Sequence, residues 1–345
     1  MGGQLAGTGA SGGIGRPPSA VRRPPPALTG TGPGGRAYGA PVDERRTGVV
    51  AGLAAYLLWG LFPLYFPLLE PAGGLEIVAH RVVWSLLFVG LLLSVLRAWP
   101  QVRAAVADRR TLLVLSAAAL LIVVNWLVFV YAVNAGHVVE SSLGYFINPL
   151  VSVLLGVVAF RERLRRLQWV AVGLAALAVV VLTVDYGHPP WIALALAGSF
   201  GFYGLMKKLV RVEAAPGLFL ETALVFVPAL VVIVVLELRG SAAFAHEGGG
   251  NAVLLAFSGV ATAVPLLLFA AAARRVPLST VGLLQYVNPL IQLAIGVFVL
   301  GEPMPPARVA GFAIVWLALA VFTADSLRQA RSTRRAAAQA VPAAT

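Results

Sequence analysis

From Gly48 onward the chain is a succession of apolar runs separated by short polar, glycine- or proline-containing breaks. The runs fall at roughly 48–69, 75–96, 111–133, 138–160, 167–184, 190–206, 217–236, 252–273, 278–300 and 308–324. Each is about 17–23 residues, or about 25–35 Å of helix at 1.5 Å per residue, which matches the hydrocarbon core of a bilayer. Hydrocarbon offers no water to backbone N–H and C=O groups, so a spanning segment must satisfy them internally as helix. The strict apolar/polar alternation of a membrane barrel is absent. The pattern predicts an all-α integral membrane protein with ten transmembrane helices.

Composition agrees. Of 345 residues, 59% are hydrophobic and only 12% charged, against about a quarter charged in soluble domains. That excludes an ordinary soluble enzyme or a disordered chain. The net charge of +12 would suggest nucleic acid in a soluble protein, but here the basic residues sit between apolar runs. With a cytoplasmic N-terminus, twenty-three of the 26 Lys and Arg fall in cytoplasmic segments. Two, Arg239 and Arg308, fall outside, and Arg81 lies within a helix. This bias sets both termini in the cytoplasm of a plasma (inner) membrane protein. Residues 1–46 are Gly- and Pro-rich and basic, and predict a disordered cytoplasmic tail whose Arg16, Arg22, Arg23, Arg36, Arg45 and Arg46 could meet anionic headgroups. Residues 328–345 form a basic cytoplasmic C-terminal tail.

The chain repeats itself at an offset of 140 residues. Asn148-Pro149-Leu150 returns as Asn288-Pro289-Leu290, Gly156 as Gly296, Glu162 as Glu302, and Thr183 and Asp185 as Thr323 and Asp325. Each half, 47–185 and 186–327, holds five predicted helices, so the second copy enters the membrane upside down. The loops agree: the basic turn around Arg161, Arg163, Arg165 and Arg166 faces Gly301–Pro306 in the copy, which has no basic residue. Inverted repeats of this kind are typical of secondary transporters.

The stretches Tyr56–Pro67 (YLLWGLFPLYFP), Glu76–Ser85 (EIVAHRVVWS), Asn125–Val133 (NWLVFVYAV), Ser141–Leu150 (SSLGYFINPL), Tyr203–Lys208 (YGLMKK) and Thr262–Met304 carry a family resemblance. Over about 47–327 the chain resembles the RarD-type transporters of the EamA family, in the drug/metabolite transporter superfamily. The resemblance implies a ten-helix inner-membrane permease of two five-helix halves and, by analogy with the superfamily, export rather than import; it names no substrate. Lys207-Lys208 stands where that branch has Arg-Lys, which preserves the charge.

A carrier needs polar groups facing a cavity and helices that bend around it. Pro149 and Pro289 stand mid-helix at matched positions, each removing a backbone donor, and are the predicted hinges. Asn148 and Asn288 precede them and either glue helices together or face substrate. Tyr145, Gln285 and Tyr286 flank these sites; Asn125, Trp59, Tyr65 and Tyr203 are further cavity candidates, each equally able to serve in packing. His80 and Arg81 lie near the outer end of the second helix. Arg81 either snorkels, binds an anion or pairs with an acid such as Glu140. Glu140 and Glu221 are the carboxylates a proton-coupled carrier could use.

An enzyme is not expected. The four His lack HExxH spacing, no GxxxxGK[ST] loop occurs, and Asp185 and Asp325 fall on opposite membrane sides. No metal or cofactor is implied, and the expected partners are lipids and a small solute. The reading is a secondary transporter of a small organic solute, drug or metabolite working by alternating access. A lipid flippase or scramblase is the alternative, and a channel a more distant one.

Overall fold

The computed structural model describes residues 42–339 except 162, 163, 245 and 277. Every regular element among them is helical. The order is α1 (Val42–Gly60), α2 (Phe62–Tyr65) with a 3₁₀ turn at Phe66–Leu69, α3 (Gly74–Val95), α4 (Trp99–Ala107), α5 (Arg109–Asn134), α6 (Val138–Phe160) and α7 (Arg166–Tyr186). There follow α8 (Trp191–Leu209), α9 (Ala214–Leu238), α10 (Gly248–Arg275), α11 (Leu278–Leu284), α12 (Val287–Ala294) with a π turn at Ile295–Val299, and α13 (Pro306–Gln339).

Seven of these helices (α3, α5, α6, α7, α9, α10 and α13) are long and apolar enough to cross a bilayer, and α1 with α2, bent by 41°, makes an eighth. The bend follows from Pro63 and Pro67, which cannot continue an unbroken hydrogen-bond ladder. Among the expected spans, α8 ends in the charged pair Lys207-Lys208. The 278–300 run is not one helix but α11, α12 and a π turn. Pro289 leaves the Gln285 carbonyl without its N–H donor, and the ladder breaks at Gln285–Tyr286.

Residues 1–41 lie outside the described region, and Val42–Arg46 are helical. At the other end α13 continues through Arg328 to Gln339, because an Ala-, Gln- and Arg-rich sequence has high helix propensity; 340–345 lie outside the described residues. The 97–110 linker holds the short helix α4. Asp108 then caps α5, accepting from Arg110 N and Thr111 N. Its bond from the Thr111 hydroxyl, chiefly, holds its carboxyl below the usual range.

The principal helix pairings are α1 with α10, α5 with α8, α6 with α8, α1 with α12, α3 with α10, α5 with α9, α3 with α9, α6 with α12 and α7 with α13. Glycine permits two of the closest approaches. A Cβ at Gly259 on α10 would stand 2.3 Å from the Trp84 carbonyl carbon of α3, and one at Gly144 on α6 2.7 Å from the Ala193 oxygen of α8. Large apolar side chains such as Leu91, Leu113, Leu120, Val184, Val227 and Leu238 are exposed, as a surface facing lipid requires.

Candidate functional site

Arg81 is the eighth residue of α3, about 10 Å along the helix at 1.5 Å per residue. It does not snorkel: it is 3% exposed. Its guanidinium carbon lies 4.5 Å from the ring centre of Trp126 on α5 and 5.4 Å from those of Phe62 and Phe66. Nε donates to Thr262 Oγ1 of α10 at 3.0 Å, while Nη1 is buried without a partner. Among the described residues no carboxylate pairs with it. The bend at Pro63 and Pro67 is what folds Phe62 and Phe66 over the arginine.

Ring contacts lead away from this cage. Phe66 packs edge-on to Phe129, and Phe129 to Tyr145. The Tyr145 hydroxyl lies 3.5 Å from Asn125 Oδ1, and Asn125 Nδ2 donates to the Leu196 carbonyl and Ser199 Oγ of α8. One turn beyond Tyr145, Asn148 is buried with Oδ1 unpartnered; Asn288 on the adjoining α12 accepts from Gln292 Nε2 at 2.9 Å, leaving Gln292 Oε1 unpartnered. Among the described residues, Arg81 Nη1, Asn148 Oδ1 and Gln292 Oε1 are thus buried without a partner, polar atoms that a small ligand would satisfy. α6 runs unbroken through Pro149, whereas its counterpart breaks before Pro289.

The remaining candidates lie elsewhere. His80 points away from the cage, stacking on Phe244 at 4.6 Å and accepting from Trp84 Nε1. Trp59 packs with Tyr56 and Phe269, and the Tyr65 hydroxyl donates to the Leu254 carbonyl. Gln285 and Tyr286 form the α11–α12 break. Glu221, the eighth residue of α9, is 2% exposed and held by Lys207 Nζ at 2.6 Å and the Tyr203 hydroxyl at 3.1 Å. Glu140 does not pair with Arg81; it accepts from Ile192 N at the start of α8.

That contact is one of several at a single end of the bundle. Glu302 accepts from Val138 N and Val139 N at the start of α6, and Glu76 from Ala243 N and Phe244 N. Asn251 donates to the Leu69 and Glu70 carbonyls, and Arg308 to Asp185 at 3.0 Å. Glu140, Glu302 and Glu76 each satisfy N–H groups that a helix start or turn leaves orphaned. At the opposite end Arg165 Nε donates to Asp325 at 2.7 Å. A recess of about 510 Å³ lined by Gly74, Leu75, Leu127, Tyr131, Asn134 and Ala135 opens on the flank of α3 and α5, and its wall is mostly apolar.

Sequence reasoning missed Phe62, Phe66, Thr262, Glu76 and Glu302 as site or closure residues. The repeated Phe-Pro steps of the first span were the available signal for the two phenylalanines.

The model of the EamA-like transporter family matches residues 46–184 and again 189–324. The chain is 52% identical to Protein RarD of Streptomyces exfoliatus over 300 residues, covering 87% of this chain and 95% of that protein. It is 44% identical to an uncharacterized transporter, YojE, of Bacillus subtilis (84% and 98% covered), and 40% identical to Protein RarD of Escherichia coli (85% and 99%). A crystal structure of a protein 18% identical in sequence superposes with a TM-score of 0.54 over 83% of this chain and 99% of that one, a likeness of fold alone.

Proposed function

Because the chain belongs to the EamA-like transporter family, we propose that it is a secondary permease carrying a small organic solute across the plasma membrane by alternating access. Its halves, 47–185 and 186–327, are two five-helix copies of opposite orientation making ten spans, with both termini cytoplasmic. The observation that carries this reading is the pairing of helices. Exchange α1 with α8, α3 with α9, α5 with α10, α6 with α11–α12, and α7 with α13. Then α1–α10 becomes α8–α5, α6–α8 becomes α12–α1, and α3–α10 becomes α9–α5, while α3–α9, α6–α12 and α7–α13 return themselves. A two-fold axis relating the halves makes that exchange. The 140-residue frame supports it: α3 begins at 74 and α9 at 214.

Asn148-Pro149 and Asn288-Pro289 are the proposed hinges. One copy is straight and the other broken, as two halves in different conformations would be. With Asn148→Ala and Asn288→Ala combined, transport at normal protein level should fall; unchanged transport removes the hinge role. If the carrier is an exporter coupled to protons, the Glu221–Lys207 pair is the one that would have to open. A flux indifferent to an imposed pH gradient argues against coupling.

Topology is the direct test. The chain has no cysteine, so Arg161→Cys and Pro303→Cys each introduce a single thiol. Impermeant maleimide applied to whole cells should label the second and spare the first; labelling both from one side refutes the inverted repeat.

A further inference from the structure

We infer that Arg81 is the docking point for the carboxylate of an organic monoanion, so that the solute carried is a small ionised carboxylic acid. The inference rests on the carrier reading above and narrows its substrate. A buried charge in an apolar surrounding is costly unless something pairs with it. Other buried charges here have partners: Glu76 takes two backbone N–H bonds, Glu140 one, and Glu221 has Lys207 and Tyr203. Arg81, 3% exposed, has aromatic rings and one hydroxyl but no anion among the described residues.

The geometry says what is missing. A guanidinium is planar, with donors along its edges and faces that stack on rings. Trp126, Phe62 and Phe66 supply ring contacts, and Thr262 takes the Nε edge. Nη1 remains, buried and unpartnered. An acceptor arriving in the plane of the group would complete it, and a carboxylate matches that fork. The charge count favours a monoanion. Among the described residues the half-buried cations are engaged, Lys207 by Glu221, Arg308 by Asp185 and Arg165 by Asp325. A dianionic phosphate would bring one uncompensated charge into an apolar cage. The equivalent eighth position of α9 is Glu221, neutralised from within by Lys207, so one half supplies its own counter-ion and the other leaves its cation for a ligand.

The test uses the full-length protein in detergent, with acetate, butyrate and benzoate set against acetamide, butyramide and benzamide, and phenyl phosphate as the dianion. At least one acid should raise the melting temperature where its amide does not, and phenyl phosphate should not surpass it. Arg81→Lys should weaken that protection tenfold or more. Arg81→Met should abolish it while melting, ligand-free, no lower than the parent, because it removes an uncompensated buried charge; a purely structural arginine would lower the melting point instead. Acids no better than amides, or acid protection intact in Arg81→Met, overturns the inference. Counterflow in proteoliposomes separates the two claims. If the carried solute is neutral or cationic and Arg81→Met carries it normally, the carrier stands and the carboxylate site falls. If acids bind through Arg81 but nothing is exchanged, the site stands and the carrier reading falls.

Discussion

Glu302 holds the start of α6, and replacing it with alanine should unlatch that end of the bundle. Its two carboxyl oxygens accept from Val138 N and, at 2.8 Å, from Val139 N. Alanine leaves both N–H groups without an acceptor in the closed form, and each orphaned buried donor costs about 1–3 kcal/mol, so two cost at most about 6 kcal/mol. The carboxyl is half-buried, and water screens it in part, so about half of that, roughly 1.5–3 kcal/mol, is the reasonable estimate. In an opened end the two N–H groups would be hydrated, so the loss falls on the closed form alone and raises the open fraction roughly 10- to 150-fold. The assay is maleimide labelling of Val138→Cys, a position fully buried beneath the latch in an otherwise cysteine-free chain. Labelling should quicken at least tenfold in Glu302→Ala and less in Glu302→Gln, which keeps one carbonyl acceptor. A rate within twofold of the parent would falsify the latch.

Acid should have the opposite effect to that mutation. Burial, more than the opposing pull of the two N–H donors, His137 and Arg308, raises the Glu302 pKa in the closed form. The closed form therefore binds a proton more readily than a hydrated carboxyl, and this contribution is present at low pH and lost as pH climbs through the raised value. Val138→Cys labelling, corrected against an exposed cysteine, should slow as pH falls into and below that range, and Glu302→Gln should flatten the profile. Gly259→Ala should cost about 1–3 kcal/mol by forcing α10 off Trp84 and Ser85 of α3, read as a lower melting temperature. Arg308→Ala should destabilise more than Arg165→Ala, because Arg308 is 14% exposed and stacks on Tyr186 while Arg165 is 38% exposed; equal melting points would contradict this. Lys207→Met should strand the buried Glu221 charge and lower stability by about 3 kcal/mol, and adding Glu221→Gln should restore most of it.

The apolar runs were legible because lipid imposes one rule along the whole chain, but the first bends at Pro63 and Pro67 and the 278–300 run is broken into α11, α12 and a π turn. Where two helices needed different shapes from the same dipeptide, the sequence was silent. Asn-Pro occurs in both α6 and α12, yet only the second copy breaks before it. The straight copy is latched at its start by Glu302 and packed on α8 through Gly144, contacts that lie far away in sequence. Arg81 stood out as a charge inside an apolar run, but its neighbours did not: Thr262 is 181 residues away, and its register against α3 is set by the Gly259 crossing. Glu140 and Glu221 read as proton carriers because hydropathy reveals burial. It cannot reveal the backbone N–H of Ile192 or the ammonium of Lys207 that occupies each of them.

The α7–α13 pair has a use that comes from being riveted twice. Arg165 meets Asp325 at one end and Arg308 meets Asp185 at the other, so neither helix can slide a turn along its neighbour without parting both rivets. That pair is a fixed origin for any ruler laid across the molecule. Spin labels placed there should hold their mutual distance through a working cycle, and motion measured from them to α1 or α6 would be free of the drift that a moving reference introduces.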